Sequence, residues 1–158
     1  MEKKKIAVIR IRGSLGLKRE IRDTFKLLRL YKKNYAIIID NTPQYIGMLT
    51  KVKDYVTWGE ISPETFQSLL EKRGRLAGKK RITPEYLKKK GNSDFDIFTK
   101  EFFESKKSLK DVPGLKFFFR LSPPRKGFER KGIKVPFSLG GVLGYRKEKI
   151  NDLLNRMI

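Results

Sequence analysis

Apolar residues recur along this chain with strand-like spacing in some stretches and helix-like spacing in others. Residues 6–11 read Ile-Ala-Val-Ile-Arg-Ile, rich in β-branched side chains and ending at Arg12-Gly13, which predicts a strand. Residues 17–33 place Ile21, Phe25, Leu28 and Tyr31 on one helical stripe, with Lys18, Arg19, Arg22, Lys26, Arg29, Lys32 and Lys33 on the other faces. Residues 35–40 are a continuous apolar run closed by Asp40, as expected of a central strand buried on both faces. Thr42-Pro43-Gln44 opens a second helix. The threonine hydroxyl accepts from the free N–H groups of the first turn, and proline at the first helical position loses no hydrogen bond. Tyr45, Leu49, Val52 and Val56, or their neighbours, form the inner face of that helix, and residues 56–61 form a third strand. Residues 6–61 therefore predict β-α-β-α-β, an α/β (α+β) sandwich of the split-βαβ type with two helices over one face of a small sheet.

The same capping chemistry recurs at Ser62-Pro63-Glu64 and Thr83-Pro84-Glu85. The first predicts a helix to about residue 72 that buries Phe66, Leu69 and Leu70; the second predicts one to about residue 90. Between them lies a basic, glycine-containing linker, residues 72–81. Ser93 or Asp94 caps a helix with Phe95, Phe98 and Phe102 on one face, which reads as core. Residues 115–121, around Phe117-Phe118-Phe119, are a candidate fourth strand, broken by Ser122-Pro123-Pro124. Gly140-Gly141-Val142-Leu143-Gly144 reads as a turn, and residues 146–157 form a last amphipathic helix with Ile150, Leu153, Leu154 and Met157 inward. The expected organisation is a core over 6–61 and a helical, loop-rich extension over 62–158, packed on or beside it.

Charge changes what this fold is for. The chain has 158 residues, long enough to bury about two-thirds of its unfolded surface, and carries 38 Lys and Arg against 17 Asp and Glu, a net of +21. The excess is spread: residues 1–60 have a net of +8 and residues 61–158 a net of +13. This excludes a neutral domain with one basic tail. Such self-repulsion is relieved by a dense polyanion, which points to nucleic acid. Cysteine and histidine are both absent, which excludes disulfides, Cys/His zinc sites, imidazole acid–base chemistry and thiol nucleophiles. The Met1–Lys5 stretch and the six apolar-rich residues after it are too short for a signal peptide, and no apolar run approaches the ~20 residues of a membrane helix. A soluble, intracellular protein is expected.

Several groups could bind phosphate. Arg10 and Arg12 lead into the first helix, which carries Lys18, Arg19, Arg22 and Lys26. The linker offers Arg73, Arg75, Lys79, Lys80 and Arg81, where glycine permits close approach of the backbone. Residues 120–134 interleave Arg120, Arg125, Lys126, Arg130, Lys131 and Lys134 with Phe128, prolines and glycines. That composition suits an extended loop against single-stranded or looped RNA. Phe128 is read first as a hydrophobic anchor and second as a ring for stacking. Arg146 completes the set. The glycine-rich segments match neither a dinucleotide fingerprint nor a P-loop. Asp94, Asp96, Glu101 and Glu104 read as caps and surface pairs with Lys100, Lys106 and Lys107 rather than as a two-metal site.

Specific stretches resemble a known family. Residues 6–13 with the basic helix after them, Asp40-Asn41-Thr42-Pro43 through Gly47-Met48-Leu49, residues 56–59 and residues 120–134 all match it. So does the closing Gly140-Gly141-Val142-Leu143-Gly144-Tyr145-Arg146 with Lys149-Ile150-Asn151 and Arg156-Met157-Ile158. Over essentially its whole length the chain resembles the large-subunit ribosomal protein L-thirty family in its long archaeal and eukaryotic form; the short bacterial form is similar only to about residues 6–61. The resemblance implies a ferredoxin-like core, binding to large-subunit rRNA and no catalytic activity. The expected role is a structural constituent of the large ribosomal subunit that binds rRNA and stabilises its folded form during assembly and translation. The expected partners are large-subunit rRNA and other large-subunit ribosomal proteins. No cofactor, metal, membrane or small-molecule substrate is expected, nor an obligate homo-oligomer. Two alternatives share some of the evidence: a DNA-compacting chromatin protein, and an RNA-processing enzyme using the Asp94 region.

Overall fold

The computed structural model describes residues 4–158, so Met1, Glu2 and Lys3 of the basic N-terminal stretch lie outside the described residues. The strands are β1 (Lys5–Arg10), β2 (Tyr35–Asp40), β3 (Val56–Glu60), β4 (Phe118–Arg120) and β5 (Gly144–Tyr145), in the order β4-β2-β1-β3-β5. β1 is antiparallel to both β2 and β3. β2 and β3 are therefore parallel to each other with β1 between them, and α2 (Pro43–Lys51) makes the crossover. This is the split β-α-β arrangement of a ferredoxin-like core.

Burial explains why β1 lacks the polar–apolar alternation of an exposed strand. All six of its residues are buried, because both faces of the sheet are covered. On one face Ile6, Val8 and Ile37 pack against Leu49 of α2 and Phe25 of α1 (Arg19–Leu27). On the other, Ala7, Ile9, Ala36 and Ile38 pack against residues of the C-terminal half. These come from α3 (Pro63–Arg73), α4 (Pro84–Gly91), α5 (Phe95–Phe103) and α6 (Ile150–Met157). Phe66 of α3 stacks on Phe102 of α5 at 4.4 Å between ring centroids, so the Phe95, Phe98, Phe102 stripe is core. Ile150, Leu153, Leu154 and Met157 are all buried, as their spacing predicts.

The three Ser/Thr-Pro caps form as expected. Thr42 accepts from the Tyr45 N–H, Ser62 from the Thr65 N–H and Thr83 from the Tyr86 N–H. Asp94 stands at the N-cap of α5 without a capping hydrogen bond and pairs with Lys88 at 3.1 Å instead.

β4 covers only 118–120 of the expected 115–121, and α6 begins at Ile150, after the 3₁₀ turn Lys147–Lys149, and not at residue 146. Three further features differ from the pattern-based expectation. The first helix ends at Leu27, well short of residue 33. Arg29 adopts φ 60°, its N–H reaches the Lys26 carbonyl, and the Leu30 N–H reaches back to the Phe25 carbonyl at 3.0 Å. That is a Schellman end, with Leu30 packed near Phe25, but an arginine holds the left-handed position usually taken by glycine. Tyr31 therefore leaves the helix and is 48% exposed. Tyr45 points outward too, and Ile46, Met48 and Leu49 supply the inner face of α2. The 140–144 turn runs on into a fifth strand: the Thr57 hydroxyl donates to the Gly144 carbonyl and the Arg146 N–H to the Trp58 carbonyl, each at 2.9 Å.

Candidate nucleic-acid interface

The basic linker folds back as a hairpin. Arg75 bridges Arg81, and the Leu76 N–H donates to the Lys80 carbonyl at 2.7 Å. Gly78 at φ 76° and Lys79 at φ 64° form the tip, which turns Lys79 and Lys80 outward. The hairpin is held along the segment that leads into β4: the Lys116 N–H donates to the Arg75 carbonyl and the Ala77 N–H to the Gly114 carbonyl. Two stretches distant in sequence are thereby joined, and Arg73, Arg75, Arg81 and Arg120 become neighbours. Partial burial, and then the charges of Arg81, Arg73 and Arg120, push the Arg75 pKa down from its ordinary value. Arginine stays protonated regardless, so the cluster keeps its repulsion until an anion relieves it.

Residues 122–134 are a second cationic segment, docked on α6. The Ser122 N–H donates to the Met157 carbonyl, the Arg125 N–H to the Arg156 carbonyl, and the Arg156 guanidinium to the Gly127 carbonyl at 2.7 Å. Phe128 is half-buried against the core, so it anchors this loop. Arg125, Lys126, Arg130, Lys131 and Lys134 are exposed. Arg73 reaches Ser122 Oγ at 2.7 Å and the Ile158 carbonyl at 2.9 Å, which links this loop to the hairpin.

Lys18 at the N-cap of α1 and Arg19, Arg22 and Lys26 on it are exposed, in the layer on the opposite face of the sheet from the docked loop. The cations named from the sequence thus form more than one surface. Arg12 is half-buried, its guanidinium donating to the Asp54 carbonyl at 3.3 Å and lying over the Tyr55 ring.

Two of the expected contact residues are corrected by burial. Arg10 is only 2% exposed. It donates to the Leu30 carbonyl at 2.7 Å, the Arg12 carbonyl at 3.0 Å and Ser14 Oγ at 3.0 Å, and burial pushes its pKa down. Its charge fastens the turn after α1 and the 11–14 segment onto β1. Arg146 is also 2% exposed. It donates to Thr57 Oγ1, Glu129 Oε1 and the Val142 carbonyl, each at 2.8 Å. Both guanidinium groups are occupied internally, so neither belongs to the surface. Conversely, Lys116 was not among the cations named from the sequence, and Arg29 was named only as one of the cations on the first helix and not as a phosphate-binding residue. Arg29 and Lys116 lie over the Phe117 and Phe118 rings, at 4.5 and 5.7 Å from the centroids. Only their tertiary placement distinguishes them from the other lysines and arginines.

The carboxylates of the Asp94 region are dispersed in local pairs. Asp94 meets Lys88, Asp96 accepts from Gln67, Glu101 meets Lys107 and Glu104 meets Lys106. The chemistry such a surface offers is multipoint binding of phosphate by exposed cations on a rigid scaffold.

Comparison with known proteins gives a consistent result. The family model described as "Ribosomal protein L30p/L7e" matches residues 6–56. The large ribosomal subunit protein uL30 of Methanopyrus kandleri is 50% identical over 94% of this chain and 100% of that protein. Its counterpart in Nanoarchaeum equitans is 50% identical over 96% of this chain and 97% of that protein. The Methanococcus vannielii protein of the same name is 51% identical over 96% and 98%.

Proposed function

Since the chain belongs to the ribosomal protein L30p/L7e family, we propose that it binds large-subunit rRNA through the Arg73, Arg75, Arg81, Arg120 cluster and the docked 122–134 loop, and stabilises the folded RNA during assembly and translation. The family is one of structural ribosomal proteins, not enzymes, and its members reside in the large subunit of the cytoplasmic ribosome. Among the residues of this chain, one observation carries the RNA reading. Two basic segments distant in sequence converge on Arg75, and the charged groups acting on it are all cations. A fold that brings like charges together requires a counter-charge, and rRNA supplies it as regularly spaced phosphates.

Exposed cations on both layers suit a protein set into RNA rather than one touching it along a single face. Neighbouring large-subunit proteins are expected at its remaining surfaces. The test is sedimentation of a cell lysate in low and then high salt. Co-migration with the large subunit, lost only at high salt, is the expected result. Neutralising six to ten phosphates implies a loss of about 10³–10⁵-fold in affinity between low and moderate salt. Migration with DNA, or at the top of the gradient in low salt, would contradict the reading.

A further inference from the structure

The shortened first helix leaves an aromatic surface at the β4 edge of the sheet. Tyr31, 48% exposed, meets the Phe118 ring edge-on at 5.6 Å between centroids. Phe118 is stacked on Tyr35 at 5.2 Å, with 4° between the ring planes. Cations flank these rings. Arg120, opposite Tyr35 in the strand register, lies 5.8 Å from its centroid, and Lys116 lies 5.7 Å from that of Phe118. Arg120 also belongs to the arginine cluster around Arg75.

Chemistry decides what such a surface fits. A continuous double helix hides its base faces and offers phosphates, 2′-hydroxyls and groove edges, none of which an aromatic ring can stack on. An unpaired nucleotide offers a phosphate to a cation and a base face to a ring. Rings already packed on one another, Tyr31 edge-on to Phe118 and Phe118 stacked on Tyr35, lose little conformational freedom when a base is added. The guanidinium of Arg120 connects the two chemistries.

We propose that Tyr31, backed by Phe118 and Tyr35 and flanked by Arg120 and Lys116, is a stacking site for an unpaired RNA base whose adjoining phosphates engage the Arg75 cluster. This rests on the RNA-binding reading above and deepens it: part of the recognised RNA is single-stranded or bulged. It also moves stacking away from Phe128, which anchors its loop to the core.

The experiment compares binding of the full chain to single-stranded polyuridylate and to an RNA duplex of equal phosphate count, over a salt series. The wild type is expected to prefer the single strand. Tyr31→Ala is expected to lower single-strand affinity roughly tenfold, while duplex affinity and the slope against salt stay unchanged. Tyr31→Phe is expected to retain the preference. Tyr31→Leu, which keeps apolar bulk without a π face, decides the matter if the alanine variant is unstable; it should lose the preference. Equal wild-type affinity for both RNAs, or equal losses on both in Tyr31→Leu, would overturn the stacking site and leave RNA binding standing. Failure of the wild type to bind either RNA would overturn both.

Discussion

Glu129 is an acid within a cationic loop, and its partner explains it. Its Oε1 accepts from the buried Arg146 guanidinium at 2.8 Å and lies 3.8 Å from Arg156, so it clamps the 122–134 segment to β5 and α6. Removing an acid from a chain of net +21 should tighten RNA binding if charge alone matters. The clamp predicts the opposite. Glu129→Gln leaves Arg146 buried without its counter-charge, which costs about 3 kcal/mol. RNA affinity is expected to fall, and trypsin is expected to cut faster after Arg125, Lys126, Arg130 and Lys131. Unchanged proteolysis with tighter binding would show the loop to be ordered by other contacts.

Tyr145 gives a second residue-scale prediction. The hydrogen bond it donates to Glu60, then burial, then the charges of Glu60 and Glu148 push its pKa up from 10.0 to about 12. A raised folded-state value means that the contact stabilises the fold fully below pH 10 and loses its effect as pH rises from 10 to about 12. In an ultraviolet titration one of the six tyrosines should ionise near pH 12 while the protein remains folded. Tyr145→Phe should remove that step and flatten stability over the same interval.

At the scale of elements, the C-terminal half meets the sheet through a close approach at Gly59. A Cβ built there would lie 1.9 Å from the Lys147 carbonyl oxygen and 3.1 Å from the Ile150 Cβ. Gly59 is buried in β3, and the 3₁₀ turn Lys147–Lys149 that opens α6 sits directly on it. Gly59→Ala forces that turn away and disturbs the packing of Ile150 and Leu153. We expect a loss of about 2–4 kcal/mol, read as a lowered midpoint in thermal or denaturant unfolding. The double variant with Ile150→Ala should cost less than the two single losses added, because both act on one contact. Strict additivity would place the strain elsewhere.

For the whole molecule, we propose that residues 6–61 and 62–158 form one cooperative unit. Both edge strands, β4 and β5, come from the second segment, and so do the helices that cover Ala7, Ile9, Ala36 and Ile38. A fragment ending at residue 61 would expose that face. It is expected to bind a hydrophobic dye and self-associate, whereas the full chain should unfold in a single transition by circular dichroism and Trp58 fluorescence alike. Two separated transitions would mean that the segments are independent.

Local chemistry determined a large part of this protein. The apolar runs at 6–11 and 35–40 and the three Ser/Thr-Pro caps are near-neighbour signals that formed where the sequence placed them to within a residue, and the last amphipathic helix formed over Ile150–Met157, without the residues from 146 that were expected to open it. The charge excess, with no cysteine or histidine, already pointed to a polyanion, and the closing glycine–Tyr–Arg stretch to the family. Tertiary structure decided what depends on distant partners. Arg10 and Arg146 are ordinary arginines in the sequence, and only burial among carbonyls, two hydroxyls and Glu129 withdraws them from the surface. The first helix stops at Leu27 because Arg29 accepts a left-handed conformation while Phe25 and Leu30 pack into the core, which helical periodicity does not register. The arginine cluster exists because hairpin 74–82 is hydrogen-bonded beside the segment entering β4, and Tyr31 is exposed because the first helix ends before it. Side-chain spacing reports which face of an element is buried; it does not report which distant element will lie next to it.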